Sequence, residues 1–137
     1  MCAAVEINSE VIRPGRLLRA WRNGQVPVAH VWAGFARNES LGWWKRKGAE
    51  LVDVPAHRFA ERSDKDGRLR WDAVPPGYVV RGLLDSSEST PLLKVVTRAA
   101  TAEELERFEH PRMPLIELPL FSAEPLAGEQ DAQAELF

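Results

Sequence analysis

The chain has 137 residues, of which 45% are hydrophobic and 28% are charged, and this composition is typical of one globular domain with its own core. Its only cysteine, Cys2, excludes an internal disulfide and predicts a reducing, cytoplasmic location. No apolar run reaches the length of about 18 residues that predicts a membrane span, so we expect no membrane partner.

Charge is distributed unevenly along the chain. The last 17 residues carry four acidic groups and no basic one, which predicts one domain over residues 1–120 and a disordered acidic tail over residues 121–137. Arginine outnumbers lysine 14 to 4, and its guanidinium suits phosphate, yet a formal net charge of −2 argues against binding duplex DNA by bulk electrostatics. Any contact with nucleic acid is therefore expected to be local.

Apolar and β-branched runs predict two strands in the first half of the chain, over residues 26–35 and 50–59. Between them, residues 40–47 predict a short helix that Gly48 would end. The sequence Asp-Lys-Asp-Gly over residues 64–67 predicts a turn into a further short run of alternating residues.

The second half predicts two neighbouring strands, over residues 78–84 and 92–97, separated by a Ser/Thr/Pro cluster. Thr101 and Glu104 have the spacing of a capping box, which predicts a short helix that ends before Pro111. A chain made mostly of strands with a few short helices predicts an α+β fold with a mixed or antiparallel β-sheet core.

Cys2 is the first residue whose type suggests chemistry. A small side chain at position 2 usually permits removal of the initiator methionine, which would leave an N-terminal cysteine. Such a residue places an α-amine with a pKa of about 7.7–8.0 beside a thiol with a pKa of about 8.5. The two groups trap an aldehyde twice, first as a Schiff base and then as a five-membered thiazolidine. The alternative interpretation is an incidental cysteine in a frayed terminus.

His110 is the second such residue, because it follows the predicted helix and precedes Pro111, which would hold an acid or base in position. The alternative is a histidine that caps the helix C-terminus, where a cation is favoured in any case. Neither reading is preferred by the residues alone.

Glu61 is the third, at the end of an apolar segment and flanked by Arg58 and Arg62. The usual interpretation of such a glutamate is a solvent-exposed ion pair. Arg37 and Glu39 form the fourth position, and taken alone they would be an ordinary pair at the end of a strand.

Together, five short stretches resemble the SOS response-associated peptidase family, whose members process abasic sites and crosslink to damaged single-stranded DNA. The family shows Met-Cys, Asn-Ala-Arg-x-Glu-Ser/Thr, Val-Pro-Ala-Asp-Gly-Phe-Tyr-Glu-Trp, Thr-Thr-x-Ala and His-x-Arg-Met-Pro in this order. The resemblance covers Cys2 and roughly residues 28–118. The matching stretches of this chain are Met1-Cys2, Ala36-Arg37-Asn38-Glu39-Ser40, Val54-Pro55-Ala56 with Phe59 and Glu61, Thr97-Arg98-Ala99-Ala100, and His110-Pro111-Arg112-Met113-Pro114.

This resemblance implies a function and a site. After removal of the initiator methionine, Cys2 would form a thiazolidine with the ring-opened aldehyde of an abasic deoxyribose. Glu61 would be the catalytic glutamate that handles protons, and His110 would assist sugar ring opening. Arg37 and Arg112 would bind DNA. We expect a monomeric, compact, divergent and phage-related member of the family, with single-stranded DNA as its partner and with no metal or organic cofactor.

One departure from the family pattern keeps other functions open. Phe35 stands where the family has the asparagine of Asn-Ala-Arg, and a phenyl ring neither donates nor accepts a hydrogen bond. This substitution favours a non-catalytic relative that binds single-stranded DNA or another partner. A thiol peptidase or an autoprocessing activity, with Cys2 as nucleophile and His110 as base, is a further alternative.

Overall fold

A computed structural model of the protein describes residues 2–23 and 25–120, and the predicted acidic tail lies outside these ranges. The described residues form strands, two short α-helices and one turn of 3₁₀ helix at Asn38–Ser40. In chain order the elements are β1 Cys2–Ile7, β2 Glu10–Ile12, β3 Leu17–Arg22, β4 Val26–Arg37, α1 Leu41–Arg46, β5 Glu50–Val54, β6 Arg58–Arg62, β7 Leu69–Ala73, β8 Val79–Asp85, β9 Leu92–Ala99, α2 Ala102–Phe108, β10 Arg112–Pro114 and β11 Ile116–Glu117.

Five of these strands close into a barrel in the order β4, β3, β5, β8, β9, because β9 pairs with both β8 and β4. The β4–β9 pair is parallel and the other pairs are antiparallel. The short strand β10 pairs antiparallel with β9, and the short strand β11 pairs antiparallel with β8. The predicted α+β fold with a mixed β-sheet core is therefore confirmed, as is the pairing of the two predicted strands that became β8 and β9.

A second, antiparallel sheet has the order β2, β1, β6, β7. The prediction of one strand over residues 50–59 is wrong, because the segment divides into β5 in the barrel and β6 in the second sheet. Pro55 lacks the N–H that a continuous ladder needs. The chain turns after Pro55, and the His57 N–H donates to the Glu6 carbonyl at 2.8 Å. The next strand, β6, therefore lies beside β1.

Helix α2 confirms the predicted capping box. The Glu104 N–H donates to the Thr101 hydroxyl at 3.2 Å, and the Glu104 carboxylate accepts from the Thr101 N–H at 3.0 Å. The helix ends at Glu109, whose φ of 55° is left-handed, and the chain then enters β10. His110 consequently occupies a short, fixed link between α2 and the edge of the barrel.

The main hydrophobic cluster joins the barrel to the second sheet. It includes Trp32 of β4, Phe59 of β6 and Phe108 of α2, all of them buried. Across the described ranges, no helix is both long and apolar enough to cross a membrane.

Candidate active site

Cys2 and Glu61 are cross-strand partners in the antiparallel pairing of β1 with β6. The register of this pair shifts between Cys2 and Ala4, so that Ala3 is an extra residue on β1. Such a bulge bends the strand and changes the direction of neighbouring side chains. The bulge lies next to Cys2, the candidate nucleophile, and no sequence pattern predicted it.

The Glu61 side chain is fully buried, and the interpretation of this residue as a solvent-exposed ion pair with its neighbours is wrong. Arg58 instead pairs with Glu6 at 3.1 Å, and the Arg62 guanidinium donates to the Gly67 carbonyl at 2.7 Å. Burial raises the pKa of Glu61 to about 7, and the negative charge of Asp64 acts in the same direction. A carboxyl group with this pKa can donate or accept a proton at neutral pH.

His110 lies beside this carboxyl group. Its Nδ1 is 3.6 Å from Glu61 Oε2, and its Nε2 is 3.8 Å from Asp64 Oδ1. Nδ1 lies 3.0 Å from both the backbone N–H and the carbonyl oxygen of Arg112, so it accepts from the first or donates to the second according to the tautomer. His110 is mostly buried, so the link between α2 and β10 fixes its ring against Glu61.

The Cys2 thiol is held in its protonated form. It is fully buried and donates to the Ala4 carbonyl at 3.4 Å. Burial raises the pKa of the thiol, and the nearby negative charge of Glu61 acts in the same direction. A thiolate that forms on its own is thus disfavoured, and the thiol requires a base such as Glu61 to accept its proton.

Cys2 and His110 border one cleft of about 400 Å³, and Glu61 is buried behind them. The cleft is lined by Cys2, Ala3, Arg13, Pro14, Phe35, Arg62, Ser63, Asp64 and His110. Sequence analysis did not identify Arg13 or Arg62 as site residues, since both belong to runs without a recognisable motif. Their place in the cleft depends on which strands flank β1.

Arg112 and Arg37 lie near the end of β4, where Arg37 pairs with Thr97 of β9 in the register. The Arg112 guanidinium binds both oxygens of Glu39, at 2.9 and 3.2 Å, and donates to the Thr97 carbonyl at 2.9 Å. Arg37 is exposed, and its positive charge contributes to the lowered pKa of Glu39, whose larger cause is the hydrogen bond from Arg112. Of the two predicted DNA-binding arginines, Arg112 thus binds groups of the protein itself, and Arg37 is exposed to solvent.

Three of the five predicted site residues, Cys2, Glu61 and His110, are therefore brought together. The part of the chain that the structure describes contains no group of three His, Cys, Asp or Glu side chains arranged to hold a metal ion. The site's own chemistry is that of a thiol beside a buried carboxyl group of near-neutral pKa, with an imidazole within reach.

Comparison with known protein families and with curated protein sequences finds no match to this chain.

Proposed function

We propose that this protein processes abasic sites in single-stranded DNA and forms a covalent thiazolidine with the lesion through Cys2 after removal of Met1. The observation that supports this function best is the pairing of Cys2 with Glu61 across β1 and β6, with His110 3.6 Å from the same carboxyl group. Similarity to the SOS response-associated peptidase family, which rests on the five short stretches described above, supports the same activity.

The reaction begins with the open-chain aldehyde of an abasic deoxyribose. The α-amine of Cys2 attacks the aldehyde carbon and forms a carbinolamine. Protonated Glu61 donates a proton to the hydroxyl group, which leaves as water, and a protonated imine results. The Cys2 thiol then adds to the imine carbon, its proton passes to the Glu61 carboxylate, and the nitrogen keeps the proton that it already carries. Aldehyde and cysteine thereby give thiazolidine and one water, with no change of oxidation state.

The near-neutral pKa of Glu61 suits both roles, since the group gives a proton in the first stage and receives one in the second. His110 would assist opening of the sugar ring, a step in which a proton moves between the ring oxygen and the C1 hydroxyl. His110 lines the cleft and is fixed beside Glu61, so it can carry protons between the cleft and this buried carboxyl group.

Burial raises the pKa of the Cys2 thiol, so a thiol peptidase would need a base to accept its proton, as the thiazolidine step does. A non-catalytic protein that binds single-stranded DNA is the second candidate. The presence of Phe35 in the cleft supports it, since a phenyl ring makes no hydrogen bond to a bound sugar.

The test uses protein in which protease cleavage of an N-terminal extension leaves Cys2 as the first residue. This protein is incubated with a single-stranded oligonucleotide that carries one abasic site, and the intact mass is measured. We expect an adduct of protein and oligonucleotide less one water, which Cys2→Ala abolishes. Glu61→Gln should slow its formation by about 10²- to 10⁴-fold.

An absence of adduct from this protein would overturn the covalent function. Salt-sensitive binding of an undamaged oligonucleotide that is unchanged by Cys2→Ala would then support the non-catalytic alternative. Cys2→Ser is the matched control, because it keeps the α-amine and the side-chain size while preventing the thiol step.

A further inference from the structure

Two arginines flank the strand that carries Cys2. In the second sheet β1 lies between β2 and β6. Arg13 directly follows β2, whose last residue Ile12 pairs with Val5, and Arg62 directly follows Glu61, the partner of Cys2. Both arginines are exposed and line the same cleft. A guanidinium group consequently stands on each side of the Cys2 strand.

The turn that carries Arg13 is rigidly built. Residues 13–16, Arg-Pro-Gly-Arg, form a β-turn closed by the hydrogen bond from the Arg16 N–H to the Arg13 carbonyl at 3.2 Å. Proline at the second position and Gly15 with a φ of 93° at the third are the features of a type II turn. Two hydrogen bonds of 2.8 Å attach this turn to the backbone of Trp32 in β4.

Arg62 is positioned as well. Its guanidinium donates at 2.7 Å to the carbonyl of Gly67, in the turn that follows β6. One edge of the planar guanidinium is thereby oriented by the protein, and its other N–H donors remain available to a ligand.

Neither cleft arginine is neutralised. Several arginines of the protein have a carboxylate partner, among them Arg58 with Glu6, Arg70 with Glu109, and Arg112 with Glu39. Within the described ranges, Arg13 and Arg62 form no ion pair with a carboxylate. The one acidic side chain among the exposed lining residues is that of Asp64, so the two arginines give the rim of the cleft a positive balance.

We propose that Arg13 and Arg62 bind the phosphodiester groups on the two sides of the reacting sugar. The ligand is thus an aldehyde carried on a nucleic acid strand, and free sugars or small aldehydes are poor substrates. This inference rests on the proposed function. An abasic sugar within a strand has a phosphate on its 5′ side and another on its 3′ side, and the arginine fork is well suited to phosphate oxygens. Free deoxyribose carries no phosphate group for either guanidinium to bind.

The experiment compares two substrates of the protein with Cys2 as first residue, a single-stranded oligonucleotide with one abasic site and free 2-deoxyribose. Arg13→Gln and Arg62→Gln should each lower the second-order rate constant for adduct formation with the oligonucleotide by about ten- to a hundred-fold, the loss expected for one charge-assisted hydrogen-bonded contact. Most of this loss should appear as a higher oligonucleotide concentration at half-maximal rate, and not as a lower maximal rate. Reaction with 2-deoxyribose should be unchanged in both variants.

Arg16→Gln is the matched control, since Arg16 is exposed in the same turn as Arg13 but does not line the cleft. It should leave both reactions unchanged. Arg62→Lys keeps the charge and should recover part of the activity that Arg62→Gln loses. Each lost phosphate contact should also reduce the slope of log Kd against log salt concentration for an undamaged oligonucleotide by about 0.7.

Equal losses with both substrates, or no loss with either, would overturn the role of these arginines. If the unsubstituted protein reacts with neither substrate, the proposed covalent function fails. The binding of the undamaged oligonucleotide then still decides the inference, because an unchanged affinity and an unchanged salt slope in both glutamine variants would reject phosphate binding.

Discussion

Cys2 of β1 and Glu61 of β6 face each other across an antiparallel strand pair, 59 positions apart in the chain. Both side chains are fully buried, and burial raises the pKa of each. Burial disfavours the charged form of each group. The pairing therefore gives the candidate nucleophile an adjacent proton acceptor without any motif that is continuous in sequence.

The first prediction concerns the pH dependence of stability. The pKa of Glu61 is raised to about 7 in the folded protein, so the folded state binds this proton more tightly than the unfolded state. The stabilisation is complete below the unfolded pKa of about 4.3 and is lost as the pH rises through about 7. Glu61→Gln cannot ionise, and relative to the unsubstituted protein it should gain about 3 kcal/mol between pH 4 and pH 8.

Denaturant unfolding at both pH values measures this gain. Glu106→Gln, on the exposed face of α2, is the control and should change the free energy of unfolding by less than about 0.5 kcal/mol at either pH. A Glu61→Gln effect of the same size at pH 4 and pH 8 would contradict the assignment.

The second prediction concerns Arg112, which joins Glu39 to the backbone and hydroxyl of Thr97. Its side chain is only 11% exposed, so Arg112→Ala removes several hydrogen bonds from a shielded position. We expect the free energy of unfolding to fall by about 1–3 kcal/mol in chemical denaturation. Arg107→Ala removes a more exposed ion pair with Asp72 and should cost less than about 1 kcal/mol. Equal costs for the two variants would argue against a structural role for Arg112.

The third prediction concerns the buried ion pair of Arg81 with Asp53 in the barrel. Arg81 also donates at 2.9 Å to the carbonyls of Val52 and Leu118. Arg81→Ala would leave the Asp53 carboxylate buried without this partner, and we expect a loss of about 3–5 kcal/mol in thermal or denaturant unfolding. Arg81→Met combined with Asp53→Leu removes both charges and should be less destabilising. If the double variant is less stable than Arg81→Ala, the loss does not arise from an uncompensated charge.

The fourth prediction concerns Gly82 in β8. A Cβ atom at this position would lie 2.9 Å from a methyl group of Val52 and 2.9 Å from one of Val54. Gly82→Ala should therefore overpack the barrel and lower the free energy of unfolding by about 1–3 kcal/mol. Gly42→Ala is the control, because its Cβ would meet only the Arg46 guanidinium at 3.5 Å in α1. This helical substitution should stabilise the protein by about 0.5–1 kcal/mol, and a similar loss in both variants would refute the packing argument.

The capping box of α2 and most strands with β-branched runs were predictable from sequence, because both depend on residues within a few positions of each other. The β1, β2 and β3 strands were missed. They are short or interrupted by polar residues, and β1 and β3 also pair with strands that are distant in the chain, β6 and β5 respectively. The division of residues 50–59 at Pro55 was also missed, since the apolar pattern continues through the turn.

The residue types of the candidate site were determined by the sequence itself: a cysteine at position 2, a glutamate after an apolar run, and a histidine directly before a proline. Only the tertiary structure decided that Glu61 is buried rather than solvent-exposed, that Arg112 binds Glu39, and that Arg13 and Arg62 border the cleft. The burial, the pKa and the local charge of a side chain depend on neighbours that are distant along the chain. These neighbours are set by strand order and register, which local patterns do not specify.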